Sequence, residues 1–130
     1  MFKVMNIAMK MVITTRPEAP IYDAIRTLAN RNITDLPVVD ADLNLVGILS
    51  ERDVLELLTE TRDRAEQTVA DYMCKDVFSL DVNANLIDLC DCLVNSNFRS
   101  VPITNDGKIH ALANRGDVIQ GILRVKNQAL

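Results

Sequence analysis

Apolar positions recur along the chain in two periods, and the same order of periods occurs twice. Ile21, Ala24, Ile25, Leu28 and Ala29 fall at i, i+3, i+4, i+7 and i+8, the stripe of an amphipathic helix, and Leu86, Leu89, Cys90, Leu93 and Val94 repeat it. Both stripes run into an asparagine, Asn32 or Asn97, a residue that tolerates the left-handed backbone with which helices end. A short apolar run containing proline follows each helix, Leu36 to Val39 and Val101 to Ile103. Polar turn residues come next, and then a second apolar run, Leu45 to Leu49 or Ile109 to Ala113. These runs have the length and bounds of strands. A further helix is predicted in each half, capped by Ser50 or Asn114 and carrying Val54, Leu55, Leu57 and Leu58 or Val118, Ile119, Ile122 and Leu123.

The two halves are copies. At an offset of 65 residues Val4 meets Val69, Lys10 meets Lys75, Ala19 meets Ala84, Asp23 meets Asp88, Leu28 meets Leu93 and Pro37 meets Pro102. After a one-residue deletion, Asp53 falls on Asp117 and Val54 on Val118. The expected organisation is a first repeat at 1–59, a charged linker at 60–68 and a second repeat at 69–125, each with the order βαββα. Neither half of about 60 residues buries enough surface to be comfortable alone, so an α/β (α+β) fold is expected, with two pseudo-twofold repeats packed sheet to sheet. Apolar residues left on the helices, Ile21, Leu55 and Leu58 or Leu86, Ile119 and Ile122, are expected to pair two molecules into a homodimer.

Composition narrows the function. With 48% hydrophobic and 25% charged residues, the chain has the make-up of a soluble globular protein. A formal charge of −4 without a Lys/Arg cluster argues against nucleic acid. No apolar run approaches the ~20 residues of a membrane helix and the first twelve residues lack the pattern of a signal peptide, so a cytoplasmic location is expected. Cys74, Cys90 and Cys92 form no C-x-x-C, and His110 is the sole histidine, which leaves no zinc site and no nucleophile with its base. The four glycines are scattered and make no phosphate-cradling loop. Catalysis is not expected.

The segments Val12-Ile-Thr-Thr-Arg-Pro17, Ile33-Thr-Asp-Leu-Pro-Val-Val-Asp40 and Leu45-Val-Gly-Ile-Leu-Ser-Glu-Arg-Asp-Val54 resemble a CBS domain. Phe98-Arg-Ser-Val-Pro-Ile103 and Ala111-Leu-Ala-Asn-Arg-Gly-Asp117 resemble it less closely. The likeness covers nearly the whole chain and implies a tandem pair, a Bateman module, that senses AMP, ADP, ATP or another adenosyl compound in the cleft between its halves and modulates a partner enzyme or transporter. No cofactor is implied. The resemblance places Ser50 and Asp53 against the phosphate and ribose of the ligand, and Thr14, Ile33, Leu36 and Pro37 around the adenine. Arg52, otherwise a solvated surface arginine, is expected to add charge to the phosphate, and Arg99, which aligns with Thr34, to reach across the cleft from the other repeat, where Asp117 is the counterpart of Asp53. These residue types fit that chemistry: a carboxylate accepts from a vicinal diol, helix-start amides attract phosphate, and apolar walls take a flat base. In the second repeat Ala111 replaces Gly47, Asn114 replaces Ser50 and Gly116 replaces Arg52, so a single competent site, in the first repeat, is expected.

The plain structural reading of the same motif is a capping box, in which Ser50 and Asp53 satisfy free amides at a helix start. The functional alternative that goes with it is a dimerisation or interaction module that binds no nucleotide.

Overall fold

A computed structural model describes residues 2–7, 9–59, 67–96 and 98–129. The chain divides into two compact units, one formed by Ile13–Val77 and the other by Met1–Val12 together with Phe78–Leu130. Each is a small α+β unit in which one helix covers one face of a sheet.

In the first unit, helix α1 (Ile21–Arg31) buries Ile21, Ala24 and Leu28. It stops where expected, at Asn32, whose backbone is left-handed (φ 53°, ψ 47°). The chain then forms an antiparallel hairpin of β1 (Asp35–Val39) and β2 (Leu45–Ser50). The expected leading strand is reduced to one parallel bridge: the Thr15 N–H donates to the Pro37 carbonyl at 3.0 Å, and the Val39 N–H donates to that of Thr15 at 2.9 Å. Pro37 is tolerated inside the hairpin because it offers a carbonyl, not an N–H, to that bridge. After Ser50 comes α2 (Glu51–Leu55), which tightens at once into a 3-10 turn over Glu56–Thr59.

The second unit repeats the plan with β3 (Leu80–Asp81), α3 (Leu86–Asn95), β4 (Ser100–Asn105), β5 (Lys108–Asn114) and α4 (Arg115–Ala129). Its sheet has the order β3-β4-β5, with β3 parallel to β4. The hairpin turns through Asp106 and Gly107, both at positive φ, the backbone a two-residue turn requires. Even the bulge is repeated, at Val38/Val39 and at Ile103/Thr104.

What the periodicity does not reveal is which leading turn closes which unit. The turn Val4–Asn6, first in the chain, belongs to the second unit: the Val4 N–H donates to the Ala84 carbonyl at 2.8 Å, and the Leu86 N–H to that of Phe2 at 3.0 Å. The turn Val69–Asp71, which precedes the second repeat, belongs to the first unit, where Val69 donates to Ala19 at 2.9 Å and Ile21 to Gln67 at 3.0 Å. The bonds are equivalent pair by pair under the sequence repeat. Of the segment expected as a linker, 60–66 lies outside the described residues, while Gln67 is buried and accepts the Tyr72 hydroxyl.

Several expected core and surface positions change places. Val94, placed in the helical stripe, is 77% exposed, because α3 buries only Leu86, Leu89 and Leu93. Ile21 and Leu86, expected on a pairing surface, are core residues at the first turn of their helices, whereas Leu55, Ile119, Ile122 and Leu123 are exposed. Asn97 lies outside the described residues, as does the side chain of Leu58; α3 ends instead at Ser96 in extended backbone.

Two glycines mark close approach within the units. A methyl on Gly47 would lie 2.7 Å from Met73 Sδ and 3.1 Å from the Cys74 carbonyl, whose residue pairs with Ile48 through two 2.9 Å hydrogen bonds. A methyl on Gly121, inside α4, would overlap Ile7 Cγ2 and lie 3.1 Å from Ile7 Cβ. Gly121→Ala normally stabilises a helix interior by about 0.5–1 kcal/mol. Against the stiff, buried Ile7 the sign reverses, and a net loss of about 1–3 kcal/mol is expected from urea unfolding. In Ile7→Ala/Gly121→Ala the loss is expected to be smaller than the sum of the two single losses, since the overlapping group is gone.

Candidate functional site

In both units the end of one hairpin strand feeds directly into a helix, and this fixes where the motif residues stand. Asp35 pairs with Ser50 across β1 and β2, and the Glu51 N–H donates to the Thr34 carbonyl at 3.1 Å, so Thr34, Ser50 and Asp53 gather at one edge of the first unit. Ser50 is the N-cap of α2. Its backbone N–H and its Oγ hydroxyl both donate to Asp53 Oδ2 at 2.9 Å, and its Oγ accepts the Asp53 N–H at 3.3 Å. This is a complete capping box. Asp53 Oδ1 takes no hydrogen bond among the described residues and keeps its acceptor capacity.

The remaining first-repeat candidates are arranged unevenly. Thr14 and Ile33 are half-buried beside that edge's sheet, and the Thr34 hydroxyl donates to Asp35 Oδ2 at 3.0 Å. Arg52 is exposed on the first turn of α2. Leu36 is 0% exposed and packs in one core cluster with Ile21, Ala24 and Leu28 of α1, and Pro37, the next residue along β1, is also fully buried.

The second unit builds the same joint with different atoms. Ser100 pairs with Asn114, the Asn114 N–H donates to Asp117 Oδ2 at 2.9 Å, and the Asp117 N–H donates to Asn114 Oδ1 at 2.9 Å. The amide therefore replaces the hydroxyl without loss of the box. Beside it lies a cleft of about 590 Å³ lined by Ser96, Phe98, Arg99, Asn114, Arg115 and Gly116. That volume lies in the range of small-molecule sites, about 300–1,000 Å³. Phe98 stacks on Phe78 with ring centroids 5.8 Å apart and planes 7° from parallel. Under the sequence repeat these rings stand where Ile13 and Ile33 stand in the first unit.

Sequence reasoning passed over Arg115. Its Nε and Nη2 donate to the Leu93 carbonyl at 3.1 and 2.9 Å, tying the start of α4 to the last turn of α3. The signal available in the sequence was its alignment with Glu51, a reversal of charge two residues before the aspartate that both repeats keep. Burial, with the charges of Asp88 and Asp91, pushes the Cys92 thiol above its ordinary pKa, which keeps it protonated and a poor nucleophile. Among the described residues no three His, Cys, Asp or Glu side chains cluster as metal ligands, and no helix is long and apolar enough to cross a membrane.

The family model described as CBS domain matches twice, at residues 4–60 and 69–124. The chain belongs to the CBS domain family. Its two CBS repeats make it a tandem pair, and solved CBS pairs share its fold. The crystal structure of CBSX2 of Arabidopsis thaliana in complex with AMP is similar at TM-score 0.82 and 26% identity, over 97% of this chain and 99% of that one. An uncharacterized 17.7 kDa protein of Acidianus ambivalens is 31% identical over 124 residues, 95% of this chain and 74% of that protein. The inosine-5'-monophosphate dehydrogenase of Thermoplasma acidophilum is 32% identical over 115 residues; the match takes in 88% of this chain, which spans 22% of the enzyme's length. The chain likewise spans 59% of the length of chloroplastic CBSX2.

If Asp53 and Asp117 close equivalent boxes in the two CBS repeats, Asp53→Ala and Asp117→Ala each lower ligand-free stability by about 1 kcal/mol. Urea midpoints of the two variants check it. A loss at one position alone would show that the boxes are not equivalent.

Proposed function

We propose that this CBS pair is a regulatory module that binds AMP or a related adenosyl ligand and modulates a partner protein. The observation that carries the reading is the likeness to CBSX2, which is solved with AMP. The kinship with a stretch of an inosine-5'-monophosphate dehydrogenase supports an enzyme as the kind of protein regulated. The proposed contacts of the first repeat are Thr14, Ile33 and Thr34 on the base side, with Leu36 and Pro37 behind them, and Ser50, Arg52 and Asp53 on the ribose and phosphate side. Capping and binding are compatible at Asp53, since Oδ2 serves the helix and Oδ1 is left to accept a ribose hydroxyl. The 590 Å³ cleft supports a second site, with Arg99 and Asp117 in the corresponding roles.

A thermal-shift panel of AMP, ADP, ATP and S-adenosylmethionine tests the reading. A ligand at a hundred times its dissociation constant adds about 2.7 kcal/mol to stability. Asp53→Ala is expected to weaken first-repeat binding by roughly 1.5–3 kcal/mol for each charge-assisted hydrogen bond lost. The complete capping box favours a second reading, a dimerisation or interaction module without a ligand, and absence of any shift across the panel decides for it.

The homodimer is proposed on the exposed stripe Ile119, Ile122 and Leu123 of α4, spaced at i, i+3 and i+4. Ile119→Glu/Ile122→Glu is expected to shift the mass in light scattering from dimer to monomer with the melting of the monomer unit preserved. A wild-type monomer at high micromolar concentration would rule the dimer out.

A further inference from the structure

The two CBS repeats differ in charge at the hairpin-to-helix joint, where both build a capping box. Thr34, Glu51 and Arg52 in the first repeat sum to zero, whereas their counterparts Arg99, Arg115 and Gly116 in the second carry two positive charges. All three of the latter line the 590 Å³ cleft, together with Phe98 and the capping residue Asn114. The substitution of Arg52 by Gly116, taken alone, reads as the loss of a phosphate contact. The geometry shows the cation displaced by one position, from the second to the first residue of the helix.

We propose that Arg115 is a specificity-determining residue that makes the second-repeat cleft selective for a phosphorylated adenosyl ligand over its neutral nucleoside. The inference rests on the reading of the chain as an adenosyl sensor. Arg115 is held on the Leu93 carbonyl by Nε and Nη2, which leaves Nη1 without a hydrogen bond among the described residues. Its present partner is a carbonyl at a helix end, with a share of roughly half a negative charge. A phosphate in the cleft carries a charge of about −1.5 to −2 and accepts the planar fork in bidentate fashion, so it outcompetes the carbonyl for the guanidinium. A neutral nucleoside offers no such group, and Arg115 stays on Leu93. Ligand charge is thereby coupled to the tie between α3 and α4. The first repeat has no equivalent, since Glu51 at that place repels an anion.

Calorimetry with AMP and with adenosine, on the wild-type chain, Arg115→Gln and Arg115→Lys, tests this. The wild type is expected to prefer AMP, and Arg115→Gln is expected to lower the ratio of AMP to adenosine affinity by about tenfold or more, the loss of one charge-assisted bond. Arg115→Lys keeps a cation but not the fork, and retains part of the preference. Raising the salt concentration should narrow the wild-type ratio and leave that of Arg115→Gln nearly constant. Ligand-free melting is measured alongside. If Arg115→Gln melts lower but keeps the wild-type ratio, Arg115 is a helix tie only and the proposal is overturned. A wild type that binds neither compound overturns the sensor reading itself, and this proposal with it. Should Arg115→Gln fail to fold, an unchanged ratio and unchanged salt dependence in Arg115→Lys would be the overturning result.

Discussion

Both units depend on one backbone contact made twice: the N–H of a fully buried valine, Val4 or Val69, donating to the carbonyl of the alanine ahead of a helix, Ala84 or Ala19. The alanine carbonyl lies just upstream of the first helical turn, and the valine side chain fills the space beneath it. Full burial of such a side chain is worth about 1.5–3 kcal/mol, and the bond keeps the buried amide from going unpaired. The glycines follow from the same docking. Gly47 makes room for Met73 and Cys74, and Gly121 makes room for Ile7, as each closing segment crosses its unit. The substitution of Gly47 by Ala111 between repeats is thus first a matter of what the chain packs there, before any ligand is considered.

The hairpin-to-helix joint is the second shared device. In each unit two paired strands end at a residue whose next position begins a helix, and the acidic residue three places on reaches back to the cap. Satisfying the free amides of a helix start is a local requirement, met equally by a hydroxyl or an amide, so Ser50 and Asn114 are interchangeable for folding. They are not interchangeable for a ligand. Serine's hydroxyl donates to the carboxylate it caps, while the Asn114 amide oxygen only accepts from the helix, and the neighbouring positive charge moves from Arg52 to Arg115. A motif can therefore erode as a signature and persist as a structure.

Much of this was legible in the residues. The repeat, the α1 stripe, the left-handed Asn32, the proline-bearing strands and the capping role of Ser50 all follow from short-range chemistry, and short-range chemistry is what a sequence displays. The leading strands were overdrawn, because Thr15 and Leu80–Asp81 need only one or two paired residues to lie beside their hairpins. Val94 was misplaced because a helical stripe gives the direction of a face but not its width. The exchange of leading turns was invisible, since Val4 and Val69 are the same residue at equivalent positions of the repeat and nothing local says which copy each will join. At the candidate site the residue types were readable and the commitments were not: that Leu36 is enclosed, that Asp53 spends one oxygen on its helix, and that Arg115 holds Leu93 are facts of packing.

The exchange also sets an order of events on the ribosome. The unit Ile13–Val77 is continuous in the chain and holds its own closing turn, so it is complete once that stretch has emerged. The other unit joins Met1–Val12 to Phe78–Leu130 with all of Ile13–Val77 between them in the chain, a longer loop whose closure is entropically costlier and slower. Until Ala84 and α4 arrive, Val4 and Ile7 have no pocket to enter, and the nascent chain carries them as exposed apolar residues.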